Sequence, residues 1–587
     1  MLSIDPAVEH RGRLIISMLR YAKYAIATRA VDRNAPPDVI AYGGDFQRRT
    51  LKSVPPVLWI FFLACAIPLA FAIYTQHAWE DYYITFRTSR NLATGHGLVF
   101  NVGDRLQTFT SPLGMLLPAL TSFLTGNGSD VTALWLFRAL CIPAFGLVAA
   151  LLFATTTRLR YPALAAVAMV GWLVTDAKSI DFTINGMETP FLLLGFAYAF
   201  WAMFGASRRP WLHLGVAWAG LMWARPDSFI YISLFAGAVF LFNQPDMTGR
   251  GRGAWLQLFL RAAPVAAMLY LPWLLFAWLY YGSPVPHTIV AKAVQAGPKT
   301  LAGFLQLLRH PLSSFRSSMT LDGLFMPSEV LFGGWPHGMR VADRLAAIAC
   351  AVAWVMPGLR TETRAASFTL LGGLLYLSYF PPFPTPWYLC LPALFGFLIL
   401  SGLFAQALSV TQKIAYPAAS ALLRFSLVAA WLTTLLAGSW LTVQSAKQLK
   451  LQQEIIEIGN RREIGMWLRE HAAPGDAVLL EPLGYIGYFS GLKTYDVPGL
   501  SSREVVELER RYGGRPWGTL AAELRPEWLV LRPYEIAAIA QTHPDLLDEQ
   551  YVRAHEFDVQ DRIAHLSIYG REYLYVDSVF IVFHRRP

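Results

Sequence analysis

Two adjacent acids, Glu80 and Asp81, are the strongest candidates for chemistry in this chain. They lie in the run A-W-E-D-Y-Y-I-T-F-R at residues 78–87, directly after the first long apolar segment. Ionisable groups near the hydrocarbon boundary are costly to keep there, so they are candidates for function. Asp81 is the preferred general base, with Glu80 shaping its environment, and the alternative is an ordinary water-facing loop.

Further polar residues lie beside other apolar segments, in turns marked by Pro or Gly. Cationic side chains can neutralise a phosphate, and the candidates for binding a donor phosphate are Arg87, Arg225, Lys292 and His287. Each also has a structural interpretation, because Arg and Lys can extend to lipid headgroups, Arg87 can pair with the acids, and His287 can cap local structure. The candidates for acceptor binding or for support of the catalytic residues are Glu188, Asp181, Tyr82 and Asn101.

The composition indicates a polytopic membrane protein. The chain has 587 residues, of which 55% are hydrophobic and only 15% are charged, against about 25% charged residues in soluble domains. The net charge of +10 lies in short clusters between apolar runs, which disfavours a nucleic-acid partner. The four cysteines lie in apolar segments and predict neither a disulfide framework nor a zinc site. No P-loop, dinucleotide fingerprint or D-x-D pair is present, so no metal, cofactor or nucleotide-sugar donor is expected.

Eleven apolar runs approach the length of about 20 residues that is needed to cross a bilayer. A further apolar stretch at 111–125 is short and contains Pro, which predicts a re-entrant or surface-lying helix. The predicted spans are 55–75, 130–154, 162–176, 189–204, 211–223, 228–243, 256–281, 342–357, 365–381, 386–405 and 421–441.

The positions of Arg and Lys predict the orientation of these spans. The segment 1–54 is rich in basic residues, which places it in the cytoplasm. Alternation from there puts every basic loop inside, and it puts the loops 76–129 and 282–341 outside. All the candidate site residues then fall on the external face, together with the turn at 380–388. The predicted location is the inner membrane of a bacterium, with membrane lipids as surroundings.

The segment 443–587 follows the predicted membrane domain of 55–442 and has a different pattern. A charged helical period at 454–471 precedes β-rich runs at 477–481, 527–531 and 573–583. This alternation predicts a small external α/β domain. Its stretch at 481–500 is rich in Gly and Tyr, which suits either sugar contacts or a strand–turn–strand core.

Several motifs resemble one family of enzymes. The first-loop pattern E-D-Y-Y-I-T-F-R-x3-N-L-x3-G-x-G-L-V-F-N is similar to that of the GT-C superfamily of polytopic glycosyltransferases. So are T-S-P-L, G-M-E-T, A-R-P-D and Y-G-S-P-x-P-x-T-x3-K further along the chain, and G-Y-I-G-Y-F-S and D-V-P-G-L near its end. Within that superfamily the chain looks closest to the bacterial branch that contains the mycobacterial terminal β-arabinofuranosyltransferase. The resemblance extends over about residues 55–510.

The resemblance implies an enzyme that transfers a sugar from a polyprenyl-phosphate donor to an acceptor hydroxyl at the external face. The acceptor would be a glycan, lipid or protein of the cell envelope, and arabinofuranose is the sugar that the nearest branch suggests. The family's catalytic acid maps to Asp81 or Glu80. This chain departs from the family where two aspartates are often found, at Glu80-Asp81, and where N-T is often found, at His287-Thr288.

Two other classes of protein are alternatives. A transporter or flippase would use acids as a proton or ion relay, but it would be expected to carry them near the bilayer midplane and to show an internal repeat. The acids here cluster at one face and no repeat is visible. A structural or sensory protein that presents the C-terminal domain would leave the convergent polar loops without a role.

Overall fold

The computed structural model describes residues 55–587, except 206, 246–248, 312–314, 316–319 and 381–384. The predicted cytoplasmic segment 1–54 and part of the turn at 380–388 lie outside the described residues. The described chain forms a helical membrane domain, followed by a smaller domain built on a five-stranded sheet. The predicted class, a helical polytopic membrane protein with a C-terminal α/β domain, is therefore confirmed.

The helices of the membrane domain are numbered in chain order. They are α1 Pro56–Thr75, α2 Glu80–Ala93, α3 Pro112–Leu124, α4 Asp130–Arg158, α5 Ala163–Val174, α6 Ala177–Ile184, α7 Thr189–Phe204, α8 Pro210–Ala224, α9 Ser228–Leu241, α10 Arg252–Tyr281, α11 His287–Ala296, α12 Leu301–Arg309, α13 His337–Val352, α14 Thr361–Tyr379, α15 Cys390–Thr411 and α16 Pro417–Gln452.

Each of the eleven predicted spans coincides with one of these helices. Among the described residues, five helical segments are long and apolar enough to cross a membrane: α1, α4, α10, the segment Pro386–Thr411 that contains α15, and α16 with its continuation. A sixth appears if α5 and α6, which meet at an angle of 57°, form one broken span. The chain is a membrane protein by this measure, whereas a count of eleven crossings remains a prediction.

The core of the membrane domain is formed by helices that pack together both from neighbouring and from distant parts of the chain. Helix α7 packs between α4 and α8, α8 packs on α10, and α14 packs between α9 and α15. Phe145, Phe196 and Phe395 are buried at these contacts. In contrast, α16 exposes Phe425 and Leu436, as a helix does when one side faces lipid.

Helix α16 runs without a break into the C-terminal domain. A π-helical segment, Gln453–Arg462, follows it directly, and α17 at Glu463–His471 continues the same helical run. The domain boundary predicted near Val443 therefore lies inside a helix. A wide π turn is rare and is often found at functional sites, because it shifts the side chains that follow it around the helix.

The C-terminal domain has a mixed sheet in the order β2-β1-β3-β5-β4. The strands are β1 Ala477–Leu480, β2 Lys493–Asp496, β3 Trp528–Leu531, β4 Tyr551–Asp558 and β5 Val579–Arg585. Strand β1 is parallel to β2 and β3, whereas β5 is antiparallel to β3 and β4. The intervening helices are α18 Tyr485–Ser490, α19 Arg503–Tyr512, α20 Trp517–Leu524, α21 Pro533–Thr542, α22 Leu546–Gln550 and α23 Gln560–Ala564.

Two details of this domain differ from the predictions. The run 573–583 was expected to be one strand, but Arg571–Asp577 forms a 3-10 helix and β5 begins only at Val579. The buried Asp577 is held there by two arginines, which favours the tighter turn over an extended chain. The stretch 481–500 is not a strand–turn–strand core, because it consists of a loop, the short helix α18 and strand β2.

Candidate active site

The two acids lie at the start of α2, where the backbone N–H groups of a helix are free and negative charge is stabilised. The carboxyl groups of Glu80 and Asp81 hydrogen-bond each other. Burial raises the pKa of Glu80 well above its usual range, although Arg461 opposes the shift. Burial also raises the pKa of Asp81, and here the opposing charge is Lys292. The pair therefore holds a proton on Glu80 more readily than on Asp81.

The backbone of the C-terminal domain touches this pair. The N–H of Gly484 donates a hydrogen bond to the Glu80 carboxylate. A Cβ atom at position 484 would lie 2.1 Å from the carbonyl oxygen of Glu80, so only glycine allows this approach. The acids thus lie at a junction between the first loop and the C-terminal domain.

A cavity of about 300 Å³ opens beside the pair. Its walls come from the first loop, from the segment before α13, from the turn before α15 and from the C-terminal domain. It will be called the acidic cavity, and its charged lining residues are Glu80, Asp81, Glu329, Glu481, Asp577, Arg461 and Arg532. Aromatic rings of Trp79, Trp387, Phe332 and Tyr573 complete much of the wall.

Two buried arginines hold the far wall of the acidic cavity together. Arg461, from the π-helical segment, bonds to Glu457 and Asp577. Arg532 uses all three guanidinium nitrogens, on Asp577 at 2.5 Å, on Glu481 at 2.8 Å and on Glu535 at 2.8 Å. These six residues will be called the domain-side network. Burial alone would raise the pKa of Asp577, but Arg461 and Arg532 outweigh it and hold that pKa at about 2.

A second charged group, built from residues of the membrane domain, lies near Asp81. Nη1 of Arg225 is 3.5 Å from a carboxylate oxygen of Glu188, and the guanidinium lies 4.4 Å above the ring of Tyr388. The ammonium of Lys292 lies 5.8 Å from the centre of the same ring. These four residues will be called the membrane-side cluster. Arg225 is also held by Asp227, whereas Lys292 has no hydrogen bond or ion pair with the residues that the structure describes.

Two predicted site residues face the C-terminal domain instead of either charged group. The guanidinium of Arg87 donates to the carbonyls of Gly487 at 2.6 Å and Leu492 at 2.8 Å, and it stacks 4.3 Å above the ring of Phe100. The amide of Asn101 accepts from the N–H of Thr494 at 3.1 Å and donates to its carbonyl at 3.3 Å, as a neighbouring strand would. Both residues attach the first loop to the domain, so this placement gives no support to their predicted roles in phosphate and acceptor binding.

His287 and Asp181 also have structural partners. Nε2 of His287 lies 3.0 Å from the carbonyl oxygen of Gly499 and therefore links α11 to the C-terminal domain. Asp181 is fully buried and bonds to Nδ1 of His77 at 2.8 Å.

Tyr82 is buried against Phe86, with ring centres 5.0 Å apart. Gly186 packs on the Tyr82 ring so closely that a Cβ atom would lie 2.3 Å from it. Tyr82, His287 and Asp181 are not among the residues that line the acidic cavity.

The structure adds site residues that the sequence analysis did not select. Glu329, Glu481, Arg461, Arg532 and Asp577 reach the acidic cavity from separate parts of the chain, and Glu329 and Asp577 are about 250 residues apart. No local motif marks them, because the groups that pair with them come from other elements. Within the described part of the chain, no three or more His, Cys, Asp or Glu side chains are arranged to hold a metal ion.

Comparisons with known proteins identify relatives of this chain by sequence. It is 28% identical over 295 residues to the terminal β-(1→2)-arabinofuranosyltransferase of Corynebacterium glutamicum, which is 44% of this chain and 41% of that protein. It is 28% identical over 267 residues to the enzyme of the same name from Mycobacterium tuberculosis, which is 42% of this chain and 40% of that protein. The predicted resemblance to terminal arabinofuranosyltransferases is confirmed. The aligned part spans about two fifths of the length of these relatives.

Two further comparisons concern the C-terminal domain and the fold. Residues 447–576 match a domain of unknown function, DUF8728. The crystal structure of ArnT from Cupriavidus metallidurans bound to undecaprenyl phosphate has a TM-score of 0.48 at 12% identity, covering 90% of this chain and 97% of ArnT. The apo form of the same protein has a TM-score of 0.47 at 13% identity, covering 90% and 98%.

Proposed function

We propose that this protein is a membrane glycosyltransferase that moves a sugar from a polyprenyl-phosphate donor to an acceptor hydroxyl on the external face. The observation that carries the proposal is that Asp81 lies close to two different charged groups. Asp81 lines the acidic cavity on one side, and on the other it lies close enough to Lys292 for that cation to lower its pKa. A transfer reaction needs a base beside the acceptor hydroxyl and a positive charge beside the leaving phosphate.

The proposed step is a direct displacement. The acceptor oxygen attacks the anomeric carbon of the sugar, and the bond between that carbon and the phosphate oxygen breaks with its electron pair going to the phosphate. The acceptor proton passes to the Asp81 carboxylate. Glu80 supports this role because its raised pKa keeps a proton on its own carboxyl group, which can donate to Asp81 and orient it.

The membrane-side cluster suits the leaving phosphate. Lys292 is a cation without a hydrogen-bonded partner among the described side chains, and a phosphate would provide one. Arg225, which is held by Asp227 and lies 3.5 Å from Glu188, adds a second positive charge nearby. A polyprenyl chain would extend from this point into the lipid. Arabinofuranose is the proposed sugar, because both curated relatives are named for that transfer.

The test uses purified full-length protein with a polyprenyl-phosphate arabinofuranose that is radiolabelled in the sugar. Release of polyprenyl phosphate and transfer of label to an arabinofuranosyl oligosaccharide are measured together. Asp81→Asn should lower kcat by about 10²- to 10⁴-fold, the range for loss of a general base, and Glu80→Gln should lower it less. The matched control is Glu470→Gln, which changes an exposed acid at the end of α17. Equal turnover by wild type and Asp81→Asn would contradict the assignment, and movement of intact donor without release of polyprenyl phosphate would indicate a flippase.

A further inference from the structure

Glu329 is a buried acid for which the proposed transfer step has no role. It precedes the short 3-10 helix Val330–Phe332, it lines the acidic cavity, and only 3% of it is exposed. Its Oε1 atom has no hydrogen-bond partner within the described parts of the chain. A buried polar oxygen without a partner carries a cost in stability, and a bound ligand that donates a hydrogen bond would remove that cost.

The charges of the acidic cavity restrict that ligand. Carboxyl groups outnumber guanidinium groups in its lining. Both lining arginines, Arg461 and Arg532, are already engaged by carboxylates of the domain-side network. An anionic ligand would therefore meet carboxylates without a free cation on the described walls, whereas hydroxyl groups would find acceptors on several sides.

The remaining walls are flat and apolar. The indole rings of Trp79 and Trp387 meet edge to face, with ring centres 6.0 Å apart. The ring centres of Phe332 and Tyr573 are 4.8 Å apart. Aromatic faces beside hydrogen-bond acceptors suit a sugar ring, which has apolar C–H faces and a polar edge. The volume of about 300 Å³ lies at the small end of ligand sites, about 300–1,000 Å³, and fits the end of a glycan better than a long segment.

We infer that the acidic cavity is the acceptor site, that it takes the end of a neutral, polyhydroxylated glycan, and that Glu329 binds a hydroxyl group of that glycan. The inference rests on the proposed function in that Asp81, on the wall of this cavity, would receive the proton of the attacking hydroxyl. Burial, with a contribution from Asp181, raises the pKa of Glu329 to about 8. Its carboxyl group therefore holds a proton at neutral pH and can both donate to and accept from a hydroxyl group.

The test compares Glu329→Ala and Glu329→Gln in the full-length protein, with Glu470→Ala as the exposed control. The acceptor probe is a neutral arabinofuranosyl trisaccharide, and water serves as the alternative acceptor. Glu329→Ala should raise the KM for the trisaccharide about tenfold, the scale of one or two buried hydrogen bonds. Hydrolysis of the donor by water should stay within about twofold of wild type, and Glu329→Gln should keep the KM within about threefold, because an amide can still bond a hydroxyl. A purely structural role for Glu329 would lower hydrolysis and transfer together.

A trisaccharide of the same length that ends in a uronic acid tests the charge of the ligand. It should bind at least about tenfold more weakly than the neutral one, and equal affinity would overturn the inference, as would an unchanged KM in Glu329→Ala. If wild type does not turn over the donor at all, the proposed function fails by itself. Equilibrium binding of the neutral trisaccharide, measured by calorimetry, then tests the acceptor site: binding that is lost in Glu329→Ala and kept in Glu329→Gln supports it, and no binding to wild type overturns it.

Discussion

The membrane-side cluster and the domain-side network each place a cation near Asp81, Lys292 and Arg461 respectively, and the cations of the two groups are satisfied to different degrees. In the domain-side network, Arg532 places every guanidinium nitrogen on a carboxylate. In the membrane-side cluster, Lys292 contacts aromatic rings at 5.8 and 5.9 Å and bonds to none of the described acids. The difference indicates two roles for positive charge. A cation whose donors are all bonded to carboxylates stabilises the fold, whereas a cation without such partners can still bind a ligand.

Substitution of Asp81 by Asn has the largest expected effect. The domain-side network and the membrane-side cluster are compared most sharply when substitutions in both are tested with the same assays. On the domain side, Asp577→Ala would leave two buried arginines without a shared partner. We expect a loss of stability of about 3–5 kcal/mol, the usual cost of breaking a buried ion pair. Thermal unfolding of the purified protein measures it, with Asp561→Ala, at an exposed position of helix α23, as the control. An unchanged thermal midpoint would show that the domain-side network does not stabilise this wall of the acidic cavity.

On the membrane side, Lys292→Met should have the opposite profile. The KM for the polyprenyl-phosphate donor should rise about 10- to 100-fold, because a charged hydrogen bond to phosphate is lost. The thermal midpoint should stay near that of wild type, since the ammonium has no hydrogen-bonded partner to lose among the described residues. Lys299→Met, at an exposed position seven residues further on, is the matched control. A large drop in stability with unchanged donor KM would reverse the comparison.

Arg87 lies between these extremes. Lysine at this position keeps the charge but cannot reach the carbonyls of Gly487 and Leu492 together in the same planar geometry. Arg87→Lys should therefore lower stability by about 1–2 kcal/mol through the lost hydrogen bonds. The KM for donor should not change, and this is the feature that distinguishes Arg87 from Lys292. A raised donor KM with normal stability would restore the phosphate-binding role predicted from the sequence.

A further expected effect is a dependence of stability on pH. The pKa of Glu329 is 4.5 for a free side chain and about 8 in the folded protein, because burial and then Asp181 disfavour its charged form. Between these values the unfolded chain releases the proton that the folded protein keeps, so this carboxyl group lowers stability progressively as the pH rises from about 4.5 to 8. The thermal midpoint of Glu329→Gln, relative to that of wild type, should therefore rise as the pH increases over that range. Glu470→Gln should show no such trend. A difference in midpoint between Glu329→Gln and wild type that falls as the pH rises would contradict a raised pKa for Glu329.

The sequence predicted the parts of the site that depend on local pattern. Apolar runs predicted where the helices of the membrane domain lie, and the position of Glu80 and Asp81 after the first run selected them as candidates. The partners of Arg87 and Asn101 lie about 400 residues away, in Gly487 and Thr494, so their attachment role could not be read from neighbouring residues. Glu329 and Arg532 were missed for the same reason, because the charged groups near them come from distant positions, such as Asp181 for Glu329 and Glu481 for Arg532.

The continuous helical run from Pro417 to His471 has a mechanical consequence. It contains 55 residues, which corresponds to a rod of about 80 Å at 1.5 Å per residue. One end of the rod faces lipid at Phe425, and the other contributes Gln452 and Arg461 to the wall of the cavity. A change in the tilt of this rod, such as a thicker or thinner bilayer imposes, therefore moves a wall of the cavity with it. The tilt of this helical run thus connects the thickness of the surrounding bilayer to the shape of the acidic cavity.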